Sequence, residues 1–313
     1  MSLSLRFLGT SASRPTVERG LASLALTREG ETLLFDCGEG TQRQMMRWGV
    51  GFTLGDIFFT HFHTDHFLGV LGLLKTLSLQ GREEPLRIWG PRGATALFKR
   101  AEGLGAEKLT FPMTVTEVEP GAPIPRKEYE IRPFAVEHRN GAAVGYALVE
   151  QERRGRFDRE HAIALGIEEG PLWGRIHKGE AITLADGRVV QPAELVGPTR
   201  PGRTIVITGD TRPCAGTIEA AAGADLLVHE STFGDEEAAR AAETMHSTAR
   251  EAGTVAKMAG VRTLVLTHFS ARYSRDPGEL AKEAREVFSG PVVMARDGLE
   301  LEVPFRDAVP ATA

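Results

Sequence analysis

The decisive stretch is Asp56-Ile57-Phe58-Phe59-Thr60-His61-Phe62-His63-Thr64-Asp65-His66. Its first five residues form a run of strand length, rich in β-formers. The run leads directly into H-x-H-x-D-H, three histidines and one aspartate within six positions. In a tight loop after a strand, alternate side chains point different ways. His61 and His63 then reach one cation while Asp65 and His66 reach a second. Imidazole and carboxylate suit zinc, manganese or iron(II) rather than calcium. Four residues are too few donors for two cations. His138, Asp210 and His268 are the natural complements, since each follows a strand-like run or lies between two.

The same layout recurs along the chain. Thr204 to Thr208 leads to Asp210, Asp225 to Val228 to His229-Glu230, and Thr263 to Thr267 to His268. Polar residues just past strand ends sit where loops on a rigid sheet converge on one site. Helical runs alternate with these strands: Thr41 to Trp48, Phe67 to Leu79, Ala94 to Leu104, Ser247 to Met258, and Pro277 to Phe288 with Asp276 as N-cap. Leu21 to Leu26 and Thr32 to Phe35 flank a hairpin turn at Glu29-Gly30. Tyr129 to Val136 and Ala143 to Val149 bracket His138. The pattern is that of a layered α/β domain.

One segment breaks it. Glu150 to Arg203 is polar, is punctuated by Gly170-Pro171 and Gly197-Pro198, and lacks long apolar runs. Its nine Lys/Arg match its nine Asp/Glu. A segment this long without core periodicity reads as a functional protrusion or a mobile loop.

Composition bounds the rest. The chain has 313 residues, 42% of them hydrophobic and 25% charged, which excludes global disorder. The most apolar stretch, Phe67 to Leu79, is interrupted by Lys75 and too short to cross hydrocarbon, so no membrane association is expected. The opening residues lack the pattern of a signal peptide, and two cysteines, Cys37 and Cys214, fit a reducing compartment. Both point to a cytoplasmic protein. The net charge of −5 argues mildly against a polyanionic partner. The nine histidines argue for a metal centre.

H-x-H-x-D-H followed by single His, Asp and His at these intervals resembles the metallo-β-lactamase superfamily. His66 at the sixth position resembles its dinuclear hydrolases. Further segments are similar to the tRNase Z family, the tRNA 3′-processing endoribonucleases, in their short bacterial form. They are Phe7-Leu8-Gly9-Thr10, Leu34-Phe35-Asp36-Cys37-Gly38-Glu39, Thr208-Gly209-Asp210-Thr211-Arg212, His229-Glu230-Ser231-Thr232, His246-Ser247-Thr248 and Thr267-His268-Phe269-Ser270-Ala271-Arg272-Tyr273. The likeness runs from Leu5 to about Val303.

The resemblance implies an αββα four-layer sandwich over residues 1–306 with an inserted exosite arm at about 150–203, and a frayed tail at 307–313. It implies two zinc ions per subunit, with manganese as the alternative. His61, His63 and His138 would hold one, Asp65, His66 and His268 the other, and Asp210 would bridge them. A metal-bridged hydroxide, oriented by Asp65, would cut the phosphodiester and leave a 3′-hydroxyl on the tRNA and a 5′-phosphate on the trailer. His246 would be the general acid and Glu230 the carboxylate that orients it. His229 reads as structural, and Thr232 and Thr248 as packing or capping residues. Arg272, Ser270 and Arg19 would meet the substrate, and Gly170 and Pro171 match a feature of the tRNA-gripping arm. The implied partners are precursor tRNA and a second copy of the chain, with no DNA. Two departures stand out. Pro15-Thr16-Val17-Glu18-Arg19-Gly20 lacks the family's usual Lys and Asn, and Gly69-Val70-Leu71-Gly72-Leu73 lacks its usual proline. The competing readings are a phosphodiesterase of small substrates built on the same site and a non-catalytic RNA-binding module.

Overall fold

The computed structural model describes residues 2–101, 108–139 and 142–306. The tail 307–313 and the end of the helix expected over Ala94 to Leu104 lie outside them. The chain divides into two compact units, Glu150–Gly202 and the remainder.

The larger unit contains two seven-stranded sheets. In the first, the order is Glu300–Glu302, Leu3–Gly9, Ser23–Arg28, Glu31–Phe35, Asp56–Phe58, Leu86–Gly90 and Met113–Glu117. In the second it is Val292–Met294, Thr263–Thr267, Leu226–Glu230, Thr204–Ile207, Val144–Glu150, Tyr129–Ala135 and Ile124–Pro125. Strands Thr204–Ile207, Leu226–Glu230 and Thr263–Thr267 run parallel, so their C-terminal ends lie side by side. The expected hairpin turn is present, with Glu29 at φ 49° and Gly30 at φ 85°, both positive as a tight two-residue hairpin turn requires.

Alternation along a strand separates two cores. Phe58 faces the second sheet, its ring packed 5.1 Å from Phe35 on the neighbouring strand and 5.4 Å from Tyr146 of the second sheet. Ile57 and Phe59 face the other way, into a cluster with Val70, Leu73 and Leu77 of helix Gly69–Leu79 and with Phe98 of helix Ala94–Ala101. On the far side, helices Ala249–Ala259 and Gly278–Val287 bury Ala252, Val255, Ala256, Leu280 and Ala284 against the second sheet. The layers are therefore helix, sheet, sheet, helix, as the resemblance implied.

Two helix starts differ from expectation. The run Phe67 to Leu79 splits into a turn, Thr64–Phe67, and the helix Gly69–Leu79. Pro277, not Asp276, is the residue preceding the last long helix, although Asp276 still accepts from the Gly278 amide. The strands Met113–Glu117 and Ile124–Pro125 have no counterpart in the sequence reading.

The smaller unit is not the coreless loop that its polarity suggested. Helices Arg159–Ala164, Pro171–His177 and Pro192–Leu195 and the hairpin Ile182–Thr183/Val189–Val190 enclose Ala162, Ile167, Trp173, Ile176, Ile182, Val190 and Leu195. These apolar residues come in short runs separated by polar and turn residues, which hides them from periodicity. Among the described residues no helix is long and apolar enough to cross a membrane. Cys37 and Cys214 are free thiols.

Candidate metal centre

Each candidate ligand leaves a strand end or a sharp turn. His61 and His63 follow Asp56–Phe58, and Asp65 and His66 sit on the short turn Thr64–Phe67. Gly209, at φ 63°, turns the chain after Thr204–Ile207 and presents Asp210. His268 itself adopts φ 58° after Thr263–Thr267. Non-glycine residues at positive φ cluster here, since Asp36 at 55° and Met245 at 61° also bear on the site. Backbone in such sparsely populated regions persists where the surroundings over-determine it, and it concentrates at functional sites.

The seven expected ligands converge. His61, His63, His138 and Asp210 form one group of donors, and Asp65, His66 and His268 form a second. Asp210 stands between them. Its Oδ2 lies 3.6 Å from His61 Nε2, 3.3 Å from His66 Nε2 and 3.8 Å from His138 Nε2, and its Oδ1 lies 3.3 Å from His268 Nε2. Asp65 Oδ2 lies 3.5 Å from His268 Nε2 and accepts from the Ser13 amide at 2.7 Å. His63 is exposed, so the centre opens to solvent there.

Whether these residues suit cations can be tested from their outer nitrogens. His66 Nδ1 donates to Asp36 Oδ2 at 2.7 Å, and His138 Nδ1 donates to the Met245 carbonyl at 2.9 Å. Thr60 Oγ1 donates to Asp36 at 2.8 Å and so accepts from His61 Nδ1 at 3.1 Å. Thr232 Oγ1 donates to Glu230 Oε2 at 2.7 Å and so accepts from His268 Nδ1 at 2.9 Å. A neutral imidazole has one N–H. All four rings therefore turn a bare lone pair inward. His66 Nε2 and His268 Nε2 then face each other at 3.2 Å, and His61 Nε2 and His138 Nε2 both face His63 Nδ1, at 3.0 and 3.1 Å. The bare lone pairs of His66 and His268 do not hydrogen-bond to one another, but they fit a shared cation. Asp210 Oδ1 is likewise buried without a hydrogen-bond donor.

The electrostatics agree. Burial alone would depress His66, yet Asp210 and Asp36 raise it well above its ordinary range. The site thus draws positive charge to that nitrogen. Burial pushes His61, His63 and His138 down, which keeps their donor atoms free of protons. Burial opposes ionisation of Asp210, but the surrounding imidazoles, His268 first, hold its pKa well below the usual range. The residues fit two divalent cations, and the imidazole-rich donor set favours a transition metal over calcium.

Beside the ligands stands a second pair. His246 Nδ1 donates to Glu230 Oε1 at 2.8 Å. Glu230 also accepts from the Thr211 amide at 3.0 Å. Burial would lower the His246 pKa, but the Glu230 carboxylate raises it to about 9. Arg212 braces the pair, donating to the His246 carbonyl at 2.9 Å and to both Glu251 carboxylate oxygens.

The expected substrate contacts fare differently. Arg19 is only 6% exposed. Its guanidinium donates to the Ala295 and Ser274 carbonyls and to Thr10, and it lies 4.6 Å from the Phe269 ring. It braces the loop from within rather than facing a ligand. Arg272 is exposed and paired with Glu237, which also accepts from Tyr273 at 2.7 Å. Ser270 donates its amide to the Thr232 carbonyl. Gly170 and Pro171 open helix Pro171–His177 of the smaller unit, away in sequence from every ligand. His229, expected to be structural, is fully buried and donates to the Glu230 carbonyl. Asp36 and Arg212 lie within motifs quoted above that give them no role, and Thr232 in one that gives it only packing or capping. A polar residue directly after the apolar run Leu33–Phe35 was the available signal for Asp36.

Comparison with known proteins agrees with this architecture. A model of the beta-lactamase superfamily domain matches residues 31–168. The chain is 61% identical to ribonuclease Z of Gemmatimonas aurantiaca over 100% of its own length and 99% of that protein. It is 53% identical to ribonuclease Z of Myxococcus xanthus, covering 97% and 99% of the two chains. The solved structure of the short form of human tRNase Z superposes with a TM-score of 0.71 at 29% identity, over 96% of this chain and 100% of that one. With a two-cation donor set on this four-layer frame, and full-length identity of this order, the chain belongs to the ribonuclease Z family of metallo-β-lactamase-fold endoribonucleases.

Proposed function

We propose that this protein removes the 3′ trailer from tRNA precursors by hydrolysis, leaving a 3′-hydroxyl on the tRNA and a 5′-phosphate on the trailer. One arrangement carries the reading: two donor groups joined by Asp210, with the His246–Glu230 pair beside them. Similarity to human tRNase Z supports tRNA as the substrate class. Zinc is the resident metal in this reading, with manganese the alternative that the same donors accept. His61, His63 and His138 would hold one ion and Asp65, His66 and His268 the other, with Asp210 placed to serve both donor groups. When bound, two such ions supply charge neutralisation of a phosphodiester and ionise a water near neutral pH.

The chain's own residues do the rest. Asp65, held by the Ser13 amide, orients the attacking water. Asp36, Thr60 and Thr232 fix the tautomers of His66, His61 and His268. Glu230 keeps a proton on His246. Because His246 Nδ1 is engaged by Glu230, Nε2 is the atom that hands a proton to the departing O3′. Arg272 and Ser270 flank the acceptor end. Residues Glu150–Gly202, with the Gly170-Pro171 turn, grip the tRNA body, and in a cytoplasmic homodimer the unit from one subunit serves the other.

Incubation of the purified protein with a 3′-extended tRNA tests the proposal. The expected result is one cut next to the discriminator nucleotide, abolished by chelation and restored by zinc or manganese. Brisk hydrolysis of small phosphodiesters with no cut in the tRNA overturns it. Uncut tRNA that is nonetheless bound marks an RNA-binding module instead. Asp65→Ala should nearly abolish cleavage while precursor binding survives.

A further inference from the structure

Thr232 was read from sequence as a packing or capping residue. Its place in the fold is different. It lies at the end of the segment His229-Glu230-Ser231-Thr232, only 4% exposed, with its hydroxyl between two functional groups. On one side the hydroxyl donates to Glu230 Oε2 at 2.7 Å; on the other it accepts from His268 Nδ1 at 2.9 Å. The Thr232 amide also donates to Glu230 Oε2, at 3.2 Å. Glu230 uses its other oxygen for His246. The outer nitrogens of the other inward-facing rings behave differently. His66 donates straight to a carboxylate and His138 straight to a backbone carbonyl. Only His61 also uses a hydroxyl, that of Thr60, and there the hydroxyl leads on to Asp36.

We propose that Thr232 is a positioning residue for the second cation, its hydroxyl linking the Glu230 carboxylate to His268. The chain carboxylate, hydroxyl, imidazole has a single hydrogen-bond direction. A carboxylate with no proton accepts only, so the hydroxyl must donate toward it. The hydroxyl's oxygen then faces His268 as an acceptor and selects the tautomer with Nδ1–H. Nε2 is left bare and aimed at His66 Nε2, 3.2 Å away, and at Asp210 Oδ1. Through this link one carboxylate serves both the proton on His246 and the donor atom of His268. No other described side chain hydrogen-bonds to His268 Nδ1. The inference rests on the two-cation reading above.

The side-chain volume makes the test clean, because valine replaces the hydroxyl with a methyl group of like size while serine retains it. Zinc is titrated into chelator-stripped wild type, Thr232→Val and Thr232→Ser against a competing chromogenic chelator. Melting temperatures of the stripped proteins are recorded alongside. The expected result is two tight equivalents in wild type and in Thr232→Ser. In Thr232→Val one equivalent should stay tight and the other weaken about 10- to 100-fold, the usual consequence of removing such an outer partner. Should the valine variant fail to fold, Thr232→Ala takes its place and is expected to show the same loss of one equivalent. Equal zinc affinities in wild type and Thr232→Val overturn the assignment, as does a Thr232→Ser variant as weak as Thr232→Val. A wild type that takes up no zinc overturns the two-cation reading itself.

Discussion

Replacing Glu230 with glutamine should move the alkaline limb of activity. In the native protein the Glu230 carboxylate holds the His246 pKa at about 9, against the pull of burial. The amide keeps the shape and a carbonyl acceptor but removes the negative charge. Only Asp210 then opposes burial, and His246 falls back toward its ordinary value of about 6.5. At pH 8 the protonated share of His246 drops from about nine-tenths to about three-hundredths, a loss of about 30-fold in acid form. The sign is unambiguous: the working form is the protonated one, so activity is lost as pH rises through the folded-state pKa. The same raised pKa stabilises the native state. That contribution is complete below about 6.5 and disappears as pH passes about 9. Single-turnover cleavage of an end-labelled precursor, measured from pH 6 to about pH 10, reads the effect. In Glu230→Gln the alkaline limb should lie about two and a half units earlier, on a plateau lowered by the weakened link through Thr232 to His268. A variant whose profile runs parallel to wild type, lower by one constant factor, would refute the assignment of His246 as the acid that Glu230 tunes.

Other perturbations address separate parts of the molecule. Asp36→Asn keeps a residue tolerant of φ 55° but weakens the acceptor for His66 Nδ1, Thr60 N and Thr60 Oγ1; zinc affinity should fall about 10- to 100-fold by chelator competition. Gly69→Ala places a Cβ 1.9 Å from the Gly38 carbonyl oxygen. The helix Gly69–Leu79 must then move off the strand loop, and denaturant titration should show a loss of about 3 kcal/mol. In the smaller unit, Arg153 and Arg200 exchange backbone hydrogen bonds at 2.7 and 2.8 Å. Deleting the residues between them and closing the gap with two glycines should weaken precursor binding in gel-shift assays and spare hydrolysis of a small phosphodiester. Unchanged tRNA cleavage after that deletion would remove the clamp from the proposed function.

The ligands were legible because they break a local pattern. Three histidines and an aspartate in six residues have no reason to follow an apolar strand unless they bind something, and His138, Asp210 and His268 inherit that reason from them. The four layers came from the resemblance, while the alternation of strand and helix runs by itself gave a layered α/β domain. The supporting residues were less visible. Asp36 joins His66 across 30 positions and His61 through Thr60, and Thr232 joins His268 across 36. No spacing rule relates such pairs, because they meet only where two sheets converge. Arg19 misled for the opposite reason. A loop arginine ordinarily faces solvent, but Thr10, Ser274 and Ala295 present acceptors that draw this one inside. The core of Glu150–Gly202 stayed hidden because Ala162, Trp173, Ile182 and Leu195 come from short separate elements brought together by turns rather than from one long repeating face.

These placements also change how a chain of net charge −5 can hold a polyanion. An arginine-rich mouth is one solution, but the arginines nearest the motifs are engaged. Arg19 is internal, Arg272 is paired with Glu237, and Arg212 is paired with Glu251. Arg47 lies over the Trp48 ring. The carboxylates Asp65 and Asp210 meanwhile sit among imidazoles of which burial keeps His61 and His63 short of protons, while Asp210 and Asp36 draw one onto His66. Without cations such a centre offers a phosphodiester little net positive charge. With two divalent ions it gains about four positive charges against two carboxylates, concentrated at one point. Metal and substrate binding should therefore be linked, and the salt dependence of tRNA binding should be shallow. The expected measurement is precursor affinity for the chelated and the zinc-loaded protein of Asp65→Asn, which lowers turnover without removing the side chain. Equal affinities in the two states would place the RNA-binding energy elsewhere, in Glu150–Gly202 and its arginines.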